Sequence, residues 1–275
     1  MNDLKSAVRR HWEDETCGTR YGEEQDRRAW FESIARSRYE LEPYIPTFAD
    51  FPSARDLDVL EIGVGAGSDF SNWCAHARHA SGVDLTDAAI ALTGERLAMF
   101  GVPSDRYSLQ RADAETLPFD DASFDLVYSW GVLHHTPGTP KAFAETLRVL
   151  KPGGRLKAMI YHVPSWTGLL LQAQHGWLRG KFGLTQKQAL FDHLESPGTK
   201  AYTLPEARQL IEGAGYRDVR LSTSLNPGDL MTLRLSSKYD RAIYRFIWRV
   251  YPRWFVRLVG DRFGLNLMIE ARKPL

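Results

Sequence analysis

LDVLEIGVGAGSD, residues 57–69, decides how the chain is read. Leu57 to Ile62 is a short, partly branched apolar run that ends on glycine, which predicts a buried strand. Gly63, Gly65 and Gly67 follow at alternate positions. Glycine takes up positive φ without steric cost and lets the backbone come close to a ligand. Asp69 and Phe70 then open a helix. Strand, glycine turn and helix start form a nucleotide-shaped pocket at the carboxyl end of a strand. A dinucleotide fingerprint needs G-x-G-x-x-G, but counting from Gly63 the last position is Ser68. The Gly-Lys-Ser/Thr ending of a phosphate-cradling loop is missing too. Glu61, two residues before Gly63, would repel a pyrophosphate but could order the turn or face a cation. A tight turn with no ligand stays open at this point.

The 275 residues are 43% hydrophobic and 25% charged, the composition of a globular protein of one sizeable domain, with or without a cap. A formal net charge of +1 argues against a protein that grips a long nucleic acid. Two cysteines, Cys17 and Cys74, make neither a disulfide framework nor a zinc site, and no metal is expected. The polar, charged start argues against a signal peptide, and no apolar run reaches the roughly 18 residues that would span a bilayer. The expected compartment is the reducing cytoplasm.

Outward from the glycine turn, the pattern alternates strand and helix. Phe70–Arg78 reads as a helix and Ala80–Asp84 as a second strand. Asp84 stands about 20 residues past the turn, where a carboxylate can accept from both hydroxyls of a ribose. Asp87–Phe100 is a helix capped by Thr86 and ended by Gly101. Tyr107–Ala112 is a third strand, followed directly by Asp113, Ala114 and Glu115. LPFDDASFDLVYSWGVLHH, 117–135, is a loop leading into a fourth strand, and Trp130–Pro137 leaves its carboxyl end. His134 and His135 there, and His162 at the end of a fifth strand over Arg155–His162, are the candidate general bases. Between them lie a helix over Thr139–Leu150 and a sharp Lys151–Gly154 turn. Thr203 and Glu206 form a capping box for a helix reaching Ala214-Gly215, and Tyr216–Thr223 is a sixth strand. Leu265–Ala271 is the last.

Three segments fall outside that alternation. Glu23–Leu41 reads as a helix broken at Pro43 and Pro46, and 11–22 reads as too short and mixed for a core element. Residues 163–202 read as a mostly helical cap with Trp166, Trp177 and Phe182. In 229–262, Arg241, Arg245, Arg249, Arg253 and Arg257 recur every fourth residue among apolar ones, which predicts an amphipathic helical pair broken at Pro252. It either packs on the domain with its arginines in solvent, or lies over 239–259 against a membrane or a lipid-like substrate.

E-x-G-x-G-x-G at 61–67, LPFDDASFD at 117–125 and RVLKPGGR at 148–155 resemble class I S-adenosylmethionine-dependent methyltransferases of small-molecule type, near the ubiquinone/menaquinone C-methyltransferase-like superfamily. The resemblance spans residues 55–162, and less closely 203–225 and 265–271. It implies an α/β, Rossmann-like, seven-stranded and mostly parallel sheet with helices on both faces and an antiparallel last strand. A helical cap would come from the two insertions. The layout is 1–50 lid and helix, 51–162 cofactor core, 163–202 cap, 203–228 core helix and strand, 229–262 basic-aromatic insertion and 263–275 last strand. The implied cofactor is S-adenosylmethionine, leaving S-adenosylhomocysteine; it carries a sulfonium and an ammonium but no phosphate, which suits Glu61. By the same resemblance Glu61, Gly63, Gly65 and Gly67 cradle it, and Asp84 with Leu85 holds the ribose. Asp113 accepts the adenine amino group with Ala114 and Glu115 beside it, and Trp130 packs near the methionine arm. Tyr21 would cap the sulfonium side from a lid or bond the methionine carboxylate. His135 is preferred over His134, His162 and Tyr21 as a catalytic group. The acceptor implied is an O or N atom of a small metabolite. The rivals are a carbon of a prenylated quinone or lipid, and a silent S-adenosylmethionine-binding regulator. Ser68 and the LPF loop disfavour an NAD oxidoreductase, and an RNA acceptor lacks its N/D-P-P-Y motif after the fourth strand.

Overall fold

A computed structural model describes every residue except 1, 15, 20, 21, 23, 195, 197 and 233–250. Tyr21 and the first half of the 239–259 reading therefore lie outside the described residues. Five parallel strands form the body of one sheet: β1 (Asp58–Ile62), β2 (His79–Asp84), β3 (Tyr107–Arg111), β4 (Phe124–Trp130) and β5 (Leu150–His162). Two further strands, β7 (Arg217–Ser224) and β8 (Asn266–Arg272), complete the order β3-β2-β1-β4-β5-β8-β7, with β8 antiparallel to both neighbours. The eighth strand, β6 (Ala201–Tyr202), was not anticipated; it pairs with the last two residues of β5, beyond the point where β4 has ended. Strand order reverses between β1 and β4, so a crevice opens between their carboxyl ends.

The side chains of β1 explain why it is central. Val59 and Leu60 are both fully buried and, being neighbours, point to opposite faces. Leu60 joins Ile62, Val127, Phe143 and Ile211 under α6 (Thr139–Val149) and α9 (Leu204–Gly213). Val59 joins Phe70, Trp73, Leu97 and Leu126 under α4 (Ser68–His76) and α5 (Asp87–Met99). A strand buried on both faces has to be apolar where it is buried, which leaves the carboxylate of Glu61 as the anomaly among the four buried positions that follow Asp58. The caps read from sequence form: Thr86 Oγ1 accepts from Ala89 N–H, and Thr203 and Glu206 cap reciprocally.

Several expectations need correcting. Residues 11–14 are not an irregular prelude but the end of a helix, α1 (Asn2–Asp14), which turns Val8 inward and lays Trp12 over the crevice. The next helix, α2, starts at Arg27, where the Asp26 carboxylate caps Ala29 N–H. Pro46 does not simply break the chain; it sits in the first turn of α3 (Ile45–Ala49), where its missing N–H costs nothing. Lys151–Gly154 is not a turn between elements either. The strand runs through it, and the register with β4 shifts between Phe124 and Leu126 as at a bulge.

Both long connections leave the carboxyl edge of the sheet. Residues 163–200 follow β5 and carry α7 (Trp166–His175) and α8 (Gln186–His193). The β7–β8 connection carries α10 (Arg253–Val259), preceded by Pro252 as its cap residue. Asp229, fully buried, ties the two together: Oδ1 accepts from Thr167 N–H and Oγ1, and Oδ2 accepts from Asn226 and Leu265 N–H.

Candidate functional site

Two cavities lie in the crevice and share a wall. Gly63, Gly65, Gly131, Trp12, Cys17 and Trp130 line both. Gly63 sits at φ +87, and a Cβ built there would come within 2.1 Å of Val132 Cγ2, so only glycine fits this close pass. Gly67 lines neither cavity; at φ 75 it starts α4 in the left-handed region.

The first cavity is mostly apolar with carboxylates at one side. Ile62, Leu85, Ala89, Ala112, Ala114, Val132 and Pro137 wall it, with Asp84 and Asp113 among them. Asp84 is held rigidly: Oδ2 accepts from Gly65 N–H at 3.2 Å, and Oδ1 accepts from Thr86 N–H at 3.1 Å and Thr86 Oγ1 at 2.9 Å. Burial raises its pKa, and these hydrogen bonds oppose the rise. Asp113 Oδ1 accepts from Glu115 N–H, while Oδ2 takes the Lys5 ammonium at 2.6 Å. Lys5, from α1, also reaches Glu115 at 3.1 Å. Glu115 itself lines neither cavity; its Oε1 holds Gly138 N–H at the start of α6.

The second cavity is more polar than the first. Arg38, Glu42, Glu61, Ser68, Asp69, Tyr161, Asn226 and Asn266 line it. Arg38 clamps Asp69 through two bonds of 2.9 and 2.5 Å, and the hydroxyls of Tyr39 and Tyr128 donate to the same carboxylate. Burial works against the Arg38 charge, but Asp69 more than offsets it, and the guanidinium is held well above its ordinary pKa. Glu61 is pushed well above the usual carboxylate range, first by burial and then by the Asp69 charge, with Arg38 pulling the other way. Glu61 Oε2 and Trp130 Nε1 are buried without a hydrogen-bond partner among the described residues. A buried polar atom left open in a cavity wall is costly unless a ligand completes it.

The histidines divide. His135 lines the first cavity, with Nδ1 at 2.8 Å from Ser196 Oγ and its ring edge-on to Trp12. Burial, then the charges of Lys200 and His11, lower its pKa to about 3. His134 lines neither cavity; it packs its ring on those of His135 and Tyr161, and burial holds it well below the usual range. His162 also lies off both cavities, with Nδ1 against Gly264 O at 3.0 Å and its pKa lowered by burial. Among the described residues no cluster of metal-ligating side chains occurs. Sequence reasoning missed Trp12, Lys5 and the Arg38–Asp69 pair. Asp69 carried a partial signal as an acid in the first turn of a helix.

The geometry has counterparts. Residues 60–158 match the family model described as a methyltransferase domain. A phthiotriol/phenolphthiotriol dimycocerosates methyltransferase of Mycobacterium leprae is 38% identical over 100 residues, 36% of this chain and 35% of that protein. Phosphoethanolamine N-methyltransferase 2 of Caenorhabditis elegans is 34% identical over 118 residues, 42% of this chain and 26% of that one. The chain thus spans about a third or less of the length of these relatives. Over the whole fold, a chain of the solved complex between the Haloferax volcanii Trm112 methyltransferase activator and its methyltransferase superposes with a TM-score of 0.62, at 17% identity over 98% of each chain.

Proposed function

Because residues 60–158 match the methyltransferase-domain model, we propose that the protein is a class I S-adenosylmethionine-dependent enzyme that moves a methyl group to an O or N atom of a small molecule. The observation that carries this reading is the pair of cavities meeting at Gly63, Gly65, Gly131 and Trp130. One has the apolar walls and carboxylates that suit a nucleoside; the other has polar groups, Glu61 among them, for the amino-acid end of the cofactor and room beyond them for an acceptor.

Asp84 would take the ribose hydroxyls, and Asp113 the adenine amino group, in the slot between Leu85, Ala112 and Ala114. Glu61 Oε2 and Trp130 Nε1 are the open acceptor and donor left for the amino-acid end. The bound cofactor supplies an electrophilic methyl group on a sulfonium. The chain supplies position: holding the acceptor in line with that methyl group accounts for most of the rate gain open to such a reaction. Neutral histidines with depressed pKa values are weak general bases. We therefore assign His135 a positioning role beside Trp12, and the acceptor is one whose lone pair is free at working pH.

A second reading, transfer to a carbon of a lipid or prenylated quinone, is favoured by the exposed apolar residues around the cavities' edge of the sheet, Trp254 and Leu258 among them. Incubating the full chain with methyl-labelled S-adenosylmethionine and a cell extract separates the readings. One labelled small product is expected, and its chemistry names the acceptor atom. Cofactor binding with no labelled product over prolonged turnover would indicate a binding module and count against the proposal.

A further inference from the structure

Two stretches on the carboxyl edge send large apolar side chains into solvent. The first is WLRGKFG, 177–183, at the far end of α7: Leu178 is 83% and Phe182 76% exposed. Arg179 and Lys181 stand exposed between them, and the stretch holds no acidic residue. The second is α10, RWFVRLV. Only Val256 is buried, while Trp254 is 71% and Leu258 75% exposed. Trp254 and Leu258 are one helical turn apart and share a face, as do Arg253 and Arg257. A helix that keeps one side chain for the core and turns an aromatic-aliphatic pair outward inverts the usual surface pattern.

The two stretches belong to one edge of the molecule. One connection follows β5, and the other follows β7, which runs parallel to β5 because both are antiparallel to β8. Phe255 packs its ring 6.1 Å from Trp166, and Asp229 binds Thr167, so the insertions are joined at their bases. This is also the edge that carries both cavities.

We propose that this edge docks on an anionic lipid bilayer. Leu178, Phe182, Trp254 and Leu258 enter the interface, and Arg179, Lys181, Arg253 and Arg257 meet the headgroups. The charge pattern selects this occupant. Each apolar tip carries two cations and no anion, which matches a surface of phosphate headgroups over hydrocarbon. Docking is adsorption, since no described helix is long and apolar enough to cross a membrane. The proposal goes beyond the methyl-transfer reading and does not rest on it.

The test is co-sedimentation of the full chain with vesicles of phosphatidylcholine alone or with added phosphatidylglycerol. Binding is expected to the anionic vesicles and to weaken in molar salt. L178E/F182E and, separately, W254E/L258E should each lower it by about tenfold or more, with urea midpoints close to the parent's. Absence of binding to anionic vesicles, or equal binding by parent and variants, overturns the proposal. So does a parent that is dimeric by sedimentation equilibrium, with monomeric variants and no vesicle binding, which would make this face a self-contact.

Discussion

The two cavities that meet at Trp130 differ in where their walls come from. The first is built mainly from strand ends and the turns directly behind them, with Val8 and Trp12 of α1 laid over it: Ile62, Asp84, Ala112 and Asp113 stand at or just past the carboxyl ends of β1, β2 and β3. The second is assembled from distant pieces: Arg38 and Glu42 from the helix before the sheet, Asn226 from beyond β7 and Asn266 from β8. In the first, hydrogen bonds between neighbouring turns fix the groups, as Gly65 fixes Asp84. In the second, an ion pair with a buried carboxylate and two tyrosine hydroxyls do so. On the reading proposed above, the constant ligand takes the site written into strand ends, and the variable acceptor takes the one borrowed from elements that can change without disturbing the sheet.

The largest effect should come from breaking the second cavity's frame. Removing Asp69 takes the buried counter-charge from Arg38, which is about a fifth exposed, and leaves two tyrosine hydroxyls without their acceptor, at a cost of about 2–3 kcal/mol. D69A should lower the urea unfolding free energy by that amount. A loss below ~1 kcal/mol would mean that the pair is solvated and does not shape the cavity.

Next is the cofactor half. Asp84→Ala removes a carboxylate proposed to receive the ribose, and should weaken S-adenosylmethionine binding by about 1–3 kcal/mol in calorimetry. Unchanged affinity would remove Asp84 from the binding set and erase the contrast between the cavities.

The pH dependence sharpens the contrast at their border. His135 has a folded pKa of about 3, below the ordinary 6.5, so the unfolded chain binds the proton more readily. Its contribution is present above pH 6.5 and is lost as pH falls from there toward 3. His135→Gln should therefore flatten the acid limb of stability relative to the parent by roughly a few kcal/mol, measured by urea unfolding across that range. Parallel pH curves would mean that the ring is solvated. The smallest effect is expected at Lys5→Met. Lys5 and Asp113 are about a third exposed, so stability should change by under ~1 kcal/mol.

The same division explains what could be read from the chain. The strand, the glycines and Asp84 were legible because each lies within a few residues of the turn it serves, and local sequence dictates such turns. The geometry at Gly63, where a Cβ would strike Val132, shows why glycine is demanded. Lys5 was not legible, since its partner Asp113 lies 108 residues away. Trp12 was hidden in a stretch read as irregular, although it lines both cavities. The histidines were legible as residues at a strand's end but not as buried ones. Ser196 and Thr199, which close over His135, come from the cap, and no spacing announces them.

The most direct measurement of the central claim is calorimetric titration of the full chain with S-adenosylmethionine and, separately, with NADH. Saturable binding of S-adenosylmethionine at one site per chain, weakened in Asp84→Ala and Asp113→Ala, with no heat from NADH, is the expected result. Binding of NADH without binding of S-adenosylmethionine would contradict the assignment of the first cavity and, with it, the methyl-transfer reading.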